Sequence, residues 1–289
     1  FIAPAKCHDL ADYLTHATNH IKLMQTETAL RLVTLDLLDQ LQADYVIYSE
    51  IRFAPLEHTR NGLSPEKVVE VVNRALAEGS EKTGVKAGLI LCTLRHYSEA
   101  KSIETVKLVK AFQGSHVVGF DIAADEAGFP IDEHKKAFDF ANKNELNITA
   151  HAGEAKGAES VWETIENFHP KRIGHGVRSI EDPKLVEFLR KNSIHLEVCP
   201  TSNIQTDVVN QMSDHPVNQI YKADISIGIN TDARAISNTT LTQEYQKLNQ
   251  SFNWQLEHFK SCNLQALKHA FVDEQTKQEL REIIMTTYV

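Results

Sequence analysis

The sequence predicts an α/β fold of the closed-barrel kind, a TIM-type (β/α)8 barrel with its first βα unit missing from the numbered chain. Three observations predict it. Seven short runs rich in β-branched residues recur at roughly even intervals, and each is followed by apolar residues at helical spacing. The runs are close to continuously apolar, as strands buried on both faces are. Several close on a polar residue: Ile148-Thr149-Ala150 leads into His151, Arg172-Ile173-Gly174 into His175, and Ile225-Ser226-Ile227-Gly228-Ile229 into Asn230-Thr231-Asp232. Alternating strand and helix gives a parallel sheet. In a βα barrel the carboxyl ends of the strands are where catalytic side chains collect.

Taken in order, the strand-like runs span residues 45–53, 86–94, 116–123, 147–151, 172–177, 194–199 and 226–231. The segment after the first shows the helical pattern clearly: Val68, Val69, Val72 and Ala75 fall opposite Glu66, Glu70 and Arg74. From Leu241 onward the pattern is helical alone. Seven units are one short of a closed barrel, and the absent strand is expected before Phe1. The opening Phe1-Ile2-Ala3-Pro4 carries no initiator Met and reads as a truncated start. No linker or low-complexity tract interrupts the chain, so residues 1–289 are expected to form one N-terminally incomplete domain.

Composition narrows the function. A length of 289 residues suits one barrel. A net charge of −9 argues against nucleic acid and anionic membranes, which call for clustered Lys and Arg. No apolar stretch approaches the roughly 20 residues that span a bilayer, and no charged-then-apolar leader opens the chain. Cys7, Cys92, Cys199 and Cys262 are far apart and lack metal-ligand spacing. They read as reduced core thiols of a cytoplasmic protein.

The polar strand ends carry the chemistry. In His151-Ala152-Gly153-Glu154 the glycine suits a turn with close backbone approach, and it lets the carboxylate point into the same cavity as the imidazole. A neutral imidazole ligates a metal, while a carboxylate moves protons between water and a leaving group. His175 lies between Gly174 and Gly176, which leave room for a ligand. Asp232 follows an apolar strand. Two histidines, an aspartate and this glutamate are the ingredients of a metal-dependent hydrolase. Each residue also has a plainer reading. His151 reads as a satisfied core or surface residue, His175 as a buried imidazole bonded to a carbonyl, Glu154 as a carboxylate at a helix N-terminus, and Asp232 as a helix cap. In Phe120-Asp121-Ile122-Ala123-Ala124-Asp125-Glu126 the small residues free main-chain N–H groups for a ligand, and Asp125 and Glu126 read as the start of a helix.

The strings GFDIAADE, AHAGE, RIGHGVRS, LEVCPTSN and GINTDA, in this order and spread over essentially the whole chain, resemble the adenosine deaminase family of metal-dependent amidohydrolases. The resemblance implies hydrolytic deamination of adenosine or 2′-deoxyadenosine to the inosine product and ammonia, by a zinc-activated water. It makes His151 and Asp232 zinc ligands, Glu154 the proton carrier at the purine N1, and His175 the group that orients and activates the hydroxide. Ala124, Gly153 and Ala233 become substrate-binding positions. The backbone at Ala124 would hold N3, where the family more often has Gly, and Ala233 stands where many members have an acid that contacts N7. The family's first strand also ends in a His-x-His pair that this sequence lacks. One zinc per chain is therefore expected, with two further His ligands upstream of Phe1. The implied partner is a small-molecule purine nucleoside, with no nucleic acid and no membrane. Two other readings stand beside it. One is a related deaminase of adenine or of a modified or phosphorylated adenosine, with Arg95, Arg178 or Arg234 meeting a phosphate. The other is a catalytically silent purine-binding protein.

Overall fold

The computed structural model describes residues 1–288. Its seven strands among these residues are β1 (Tyr48–Phe53), β2 (Lys86–Leu94), β3 (Val117–Ala123), β4 (Thr149–Ala152), β5 (Arg172–His175), β6 (His195–Val198) and β7 (Ile227–Ile229). All the pairings between them are parallel, in the orders β1-β2-β3 and β4-β5-β6-β7. Every expected run coincides with a strand, most of them shorter than the run, and β4 extends one residue past it to Ala152. β5 stops at His175 because that residue and Gly176 turn left-handed, with φ of 60° and 64°.

The described chain divides into two compact units. One comprises Ala17–Ala124 and Ile131–Ile148; the other comprises Phe1–His16, Asp125–Pro130 and the chain from Thr149 onward. The first unit holds β1 to β3, and a parallel bridge joins Phe120 to Ile148. Helix Pro65–Thr83 buries Val68, Val69, Val72 and Ala75, as the spacing predicts. Ser64 caps its start by accepting from Lys67 N, and Gly84 ends it at φ 77°.

The second unit holds β4 to β7 and the helices Leu241–Phe252, Leu256–His269 and Glu274–Thr287, so the region from Leu241 is helical as expected. Its core packs Ile173, Leu196, Val198, Ile227, Trp254 and Phe259 with their neighbours. The amino ends of its strands carry buried polar groups that an apolar reading of the strands does not anticipate. Arg172 Nε lies 2.7 Å from Glu197 Oε1, and Thr149 Oγ1 donates to the same oxygen at 3.0 Å. The Arg172 guanidinium stacks 3.6 Å from the Phe271 ring centre, and His195 stacks on His269 at 4.9 Å. At this end of the strands such groups serve stability rather than catalysis.

All four cysteines are buried and unpaired with one another. Among the described residues no helix is long and apolar enough to cross a membrane.

Candidate active site

The strand ends of the second unit bring His151, Glu154, His175 and Asp232 into one neighbourhood. The next-to-last residue of β4, His151, lies with its ring centre 5.2 Å from that of His175, the last residue of β5. A Cβ on Gly174 would sit 3.0 Å from His151 Cγ. The glycine therefore makes room for the ring of His151, not for a ligand. Gly176 is likewise needed for packing, since its Cβ would meet Leu196 Cδ2 at 2.6 Å. Gly153 turns the chain at φ 70°, and Val161 Cγ2 would lie 2.5 Å from a side chain there. That turn sends Glu154 inward. It is buried, with Oε2 3.4 Å from His175 Nε2 and Oε1 accepting from Thr206 Oγ1 at 3.0 Å.

Two of the plainer readings, those of Glu154 and Asp232, do not match the structure. Helix Ala158–Phe168 begins after Glu154, so Glu154 does not belong to its first turn. Asp232 is not the cap of the short helix Arg234–Ser237, whose cap position is Ala233, with no side-chain cap bond. Instead Asp232, at φ 54°, accepts from Ser202 Oγ at 2.8 Å. His175 Nδ1 meets the Asn203 amide nitrogen at 3.1 Å, not a carbonyl.

Asp125 and Glu126 do not start a helix either. Asp125 Oδ1 accepts from Ala127 N and Gly128 N and closes a turn. Glu126 is buried, and its carboxylate accepts from the N–H groups of Gly153, Glu154, Ala155 and Lys156 at 2.7–3.0 Å and from Ser160 Oγ at 2.6 Å. One carboxylate thus holds the whole loop that carries Glu154. Sequence reasoning missed this role, and it missed Tyr13, Ser202, Asn203, Thr206 and His215. Tyr13 is buried beside Ser237, with its hydroxyl 2.8 Å from Ser237 Oγ. The strings GFDIAADE and LEVCPTSN contain three of the missed residues, but nothing in their spacing says what each side chain touches.

Burial raises the affinity of Glu154 for its proton, and the carboxylates of Asp232 and Glu126 add to it against the opposing pull of His175 and His151. Burial also raises Tyr13, helped by Asp232, so its hydroxyl stays protonated. The site thus combines a carboxyl group disposed to carry a proton with an imidazole in reach of it. Two further donors, His151 and the more exposed Asp232, stand at neighbouring strand ends.

A sequence profile of the adenosine deaminase family matches residues 1–287. The adenosine deaminase of Enterococcus faecalis is 35% identical over 288 residues, covering 100% of this chain and 85% of that one. The chain belongs to the adenosine deaminase family. Among solved structures, an adenine deaminase from Arthrobacter aurescens superposes with a TM-score of 0.92 at 26% identity, covering 98% of this chain and 86% of that one. An amidohydrolase from Burkholderia ambifaria solved with bound Zn superposes with a TM-score of 0.85 at 22% identity, covering 91% and 74%. The family's fold is the TIM-type barrel that the strand pattern predicts.

Within this deaminase family the donor set can be tested against a zinc ion. An imidazole nitrogen and a carboxylate oxygen are donors zinc takes, so His151 and Asp232 fit in kind. They fall short in number. Among the described residues no three His, Cys, Asp or Glu side chains gather into a metal site, whereas catalytic zinc takes about three protein ligands. Of the remaining deaminase positions, Ala233 stands beside Asp232 with a methyl group only. Ala124 follows the first unit's β3 at φ 81°. Arg178, a candidate phosphate contact, is engaged by Glu181 at 2.7 Å, and Arg95 is buried.

Proposed function

We propose that this hydrolase deaminates adenosine and 2′-deoxyadenosine to their inosine products and ammonia. The observation that carries the reading is Glu154: buried, raised toward its acid form, and held beside His175 on a loop that Glu126 clamps. In the reaction a water oxygen bonds to C6 and the C6–N bond to the amino group breaks. Glu154 gives its proton to N1 as the oxygen adds, which keeps negative charge from building on the ring. Of the water's two protons, one passes to the leaving nitrogen, which departs as ammonia, and the other returns to Glu154, leaving the C6 carbonyl and the N1–H of the product. His175 faces the adding oxygen and orients it. His151 and Asp232 would hold a divalent metal as two of its ligands, and such an ion supplies a bound water of lowered pKa. The buried free thiols fit a reducing, cytoplasmic setting.

Loss of the adenosine absorbance band together with ammonia release tests the reading. Glu154→Gln keeps the shape and removes the titratable proton, so turnover falls about 10²-fold or more while metal content holds. Near-normal turnover by that variant rejects Glu154 as the proton carrier. A second reading, deamination of free adenine, is favoured by the likeness to the Arthrobacter enzyme. Activity on adenine with none on either nucleoside would replace the first reading by the second.

A further inference from the structure

Behind His175 lies a chain of hydrogen bonds that the deamination chemistry above does not use. Val217 N donates to His215 Nδ1 at 3.0 Å, His215 Nε2 lies 3.2 Å from Asn203 Oδ1, and Asn203 Nδ2 lies 3.1 Å from His175 Nδ1. All of these side chains are buried, Asn203 completely. The direction of the chain is set at its far end. A backbone N–H can only donate, so His215 Nδ1 must accept, and the proton of a neutral His215 must sit on Nε2. That proton needs an acceptor, which turns the Asn203 oxygen toward His215 and its NH2 toward His175. His175 Nδ1 must then accept, leaving its proton on Nε2, the nitrogen that faces Glu154. Burial keeps His215 neutral by lowering its pKa to about 3, with the neighbouring His175 adding to the effect.

We propose that Asn203 and His215 are positioning residues that hold His175 in the Nε2–H tautomer, so that His175 enters the reaction as a hydrogen-bond donor through Nε2 and not as the base that takes the water's proton. The tautomer follows from the hydrogen bonds alone; its part in turnover rests on the deaminase reading. Asn203→Asp is the decisive change. It keeps an acceptor for His215 but puts a second acceptor against His175 Nδ1, which calls a proton onto that nitrogen. In protein labelled with ¹⁵N at histidine, the Nδ1 resonance of His175 should be that of an unprotonated nitrogen in the wild type and of a protonated one in Asn203→Asp. The same variant should lose about 10²-fold in kcat with KM within about threefold, as a misdirected imidazole does.

A second pair of variants covers the case in which Asn203→Asp does not fold. His215→Gln keeps an N–H for Asn203 and should retain the wild-type signature and most of kcat. His215→Leu removes that N–H, frees the amide to turn over, and should give a mixture of His175 tautomers with lowered kcat. An unprotonated Nδ1 in Asn203→Asp, or equal spectra and rates for the Gln and Leu variants, overturns the proposal. A wild type with the expected tautomer but no activity on any purine would instead count against the function while leaving the assignment of the proton standing.

Discussion

His175 and Asp232 both hold φ values near +55°, where a residue with a Cβ sits at a cost of about 1 kcal/mol. His175 ends β5, and Asp232 lies in the loop three residues after the end of β7. Ala124, the residue after β3, is likewise left-handed at φ 81°, a geometry that glycine adopts more readily than alanine. Ala233 raises a question of recognition instead. By the family resemblance the purine N7 faces this position, and a methyl group gives that acceptor nothing. An acceptor buried without a partner costs about 1–3 kcal/mol. The analogue 7-deazaadenosine, which lacks the acceptor, should therefore be deaminated about as well as adenosine, and Ala233→Asp should shift the ratio of kcat/KM values toward adenosine by roughly tenfold or more. A strong wild-type preference for adenosine would show that another group recognises N7.

The loop 153–157 is the element on which the site depends, and its order comes from a residue outside it. Four successive amides pointing at one carboxylate make charge-assisted bonds, stronger than neutral ones. Glu126→Gln keeps the volume but turns an NH2 against amides that need acceptors, so stability should fall by about 3 kcal/mol. Urea unfolding measures this, and a change below 1 kcal/mol would show that water replaces the carboxylate. The contrast with the strands is instructive about what a sequence reveals. β4, β5 and β7 announce themselves because apolar runs are local and the polar residue that closes each is adjacent. Thus His151, His175 and Asp232 were legible, as was Glu154 one turn away. Glu126 was not, because its partners lie 27–34 residues downstream and acidic residues after a strand read equally well as a helix start. Nor was the purpose of Gly174, which depends on where the ring of His151 comes to rest. Arg172, His195 and Glu197 interrupt apolar strands for reasons visible only when β5 and β6 lie side by side.

At the scale of the molecule, neutral buried imidazoles give stability a dependence on pH. Burial, with His269 and Arg172 adding to it, lowers His195 to about 3, and burial first of all lowers His215 to about 3. The unfolded chain protonates both below about pH 6.5 while the folded chain does not, so the unfolded state binds more protons across that window. Stability should fall as pH drops from 6.5 toward 4, by up to about 1.4 kcal/mol per pH unit for each imidazole. Glu154, raised by burial, pulls the other way near the carboxylate range, against His195, His215 and also His269, which burial lowers to about 4. Urea midpoints at pH 7, 6 and 5 should decline in that order; a flat profile would show that both imidazoles are protonated in the folded protein. The chain passes between the two compact units four times, after His16, Ala124, Pro130 and Ile148, so neither unit is a continuous stretch that can be cut out whole. The buried thiols turn this arrangement into a clock. Cys92 belongs to the unit of β1 to β3, and Cys199 and Cys262 to the other, and burial raises the pKa of Cys92 and brings that of Cys262 to about 12, which leaves both inert toward alkylating reagents until the chain opens. If the 289 residues unfold as one domain, maleimide should reach Cys92 and Cys262 at one shared rate whatever the reagent concentration that saturates labelling. Two separate rates would mean that the halves of the enzyme open on their own schedules, and the slower thiol would then date the opening of the last part to come undone.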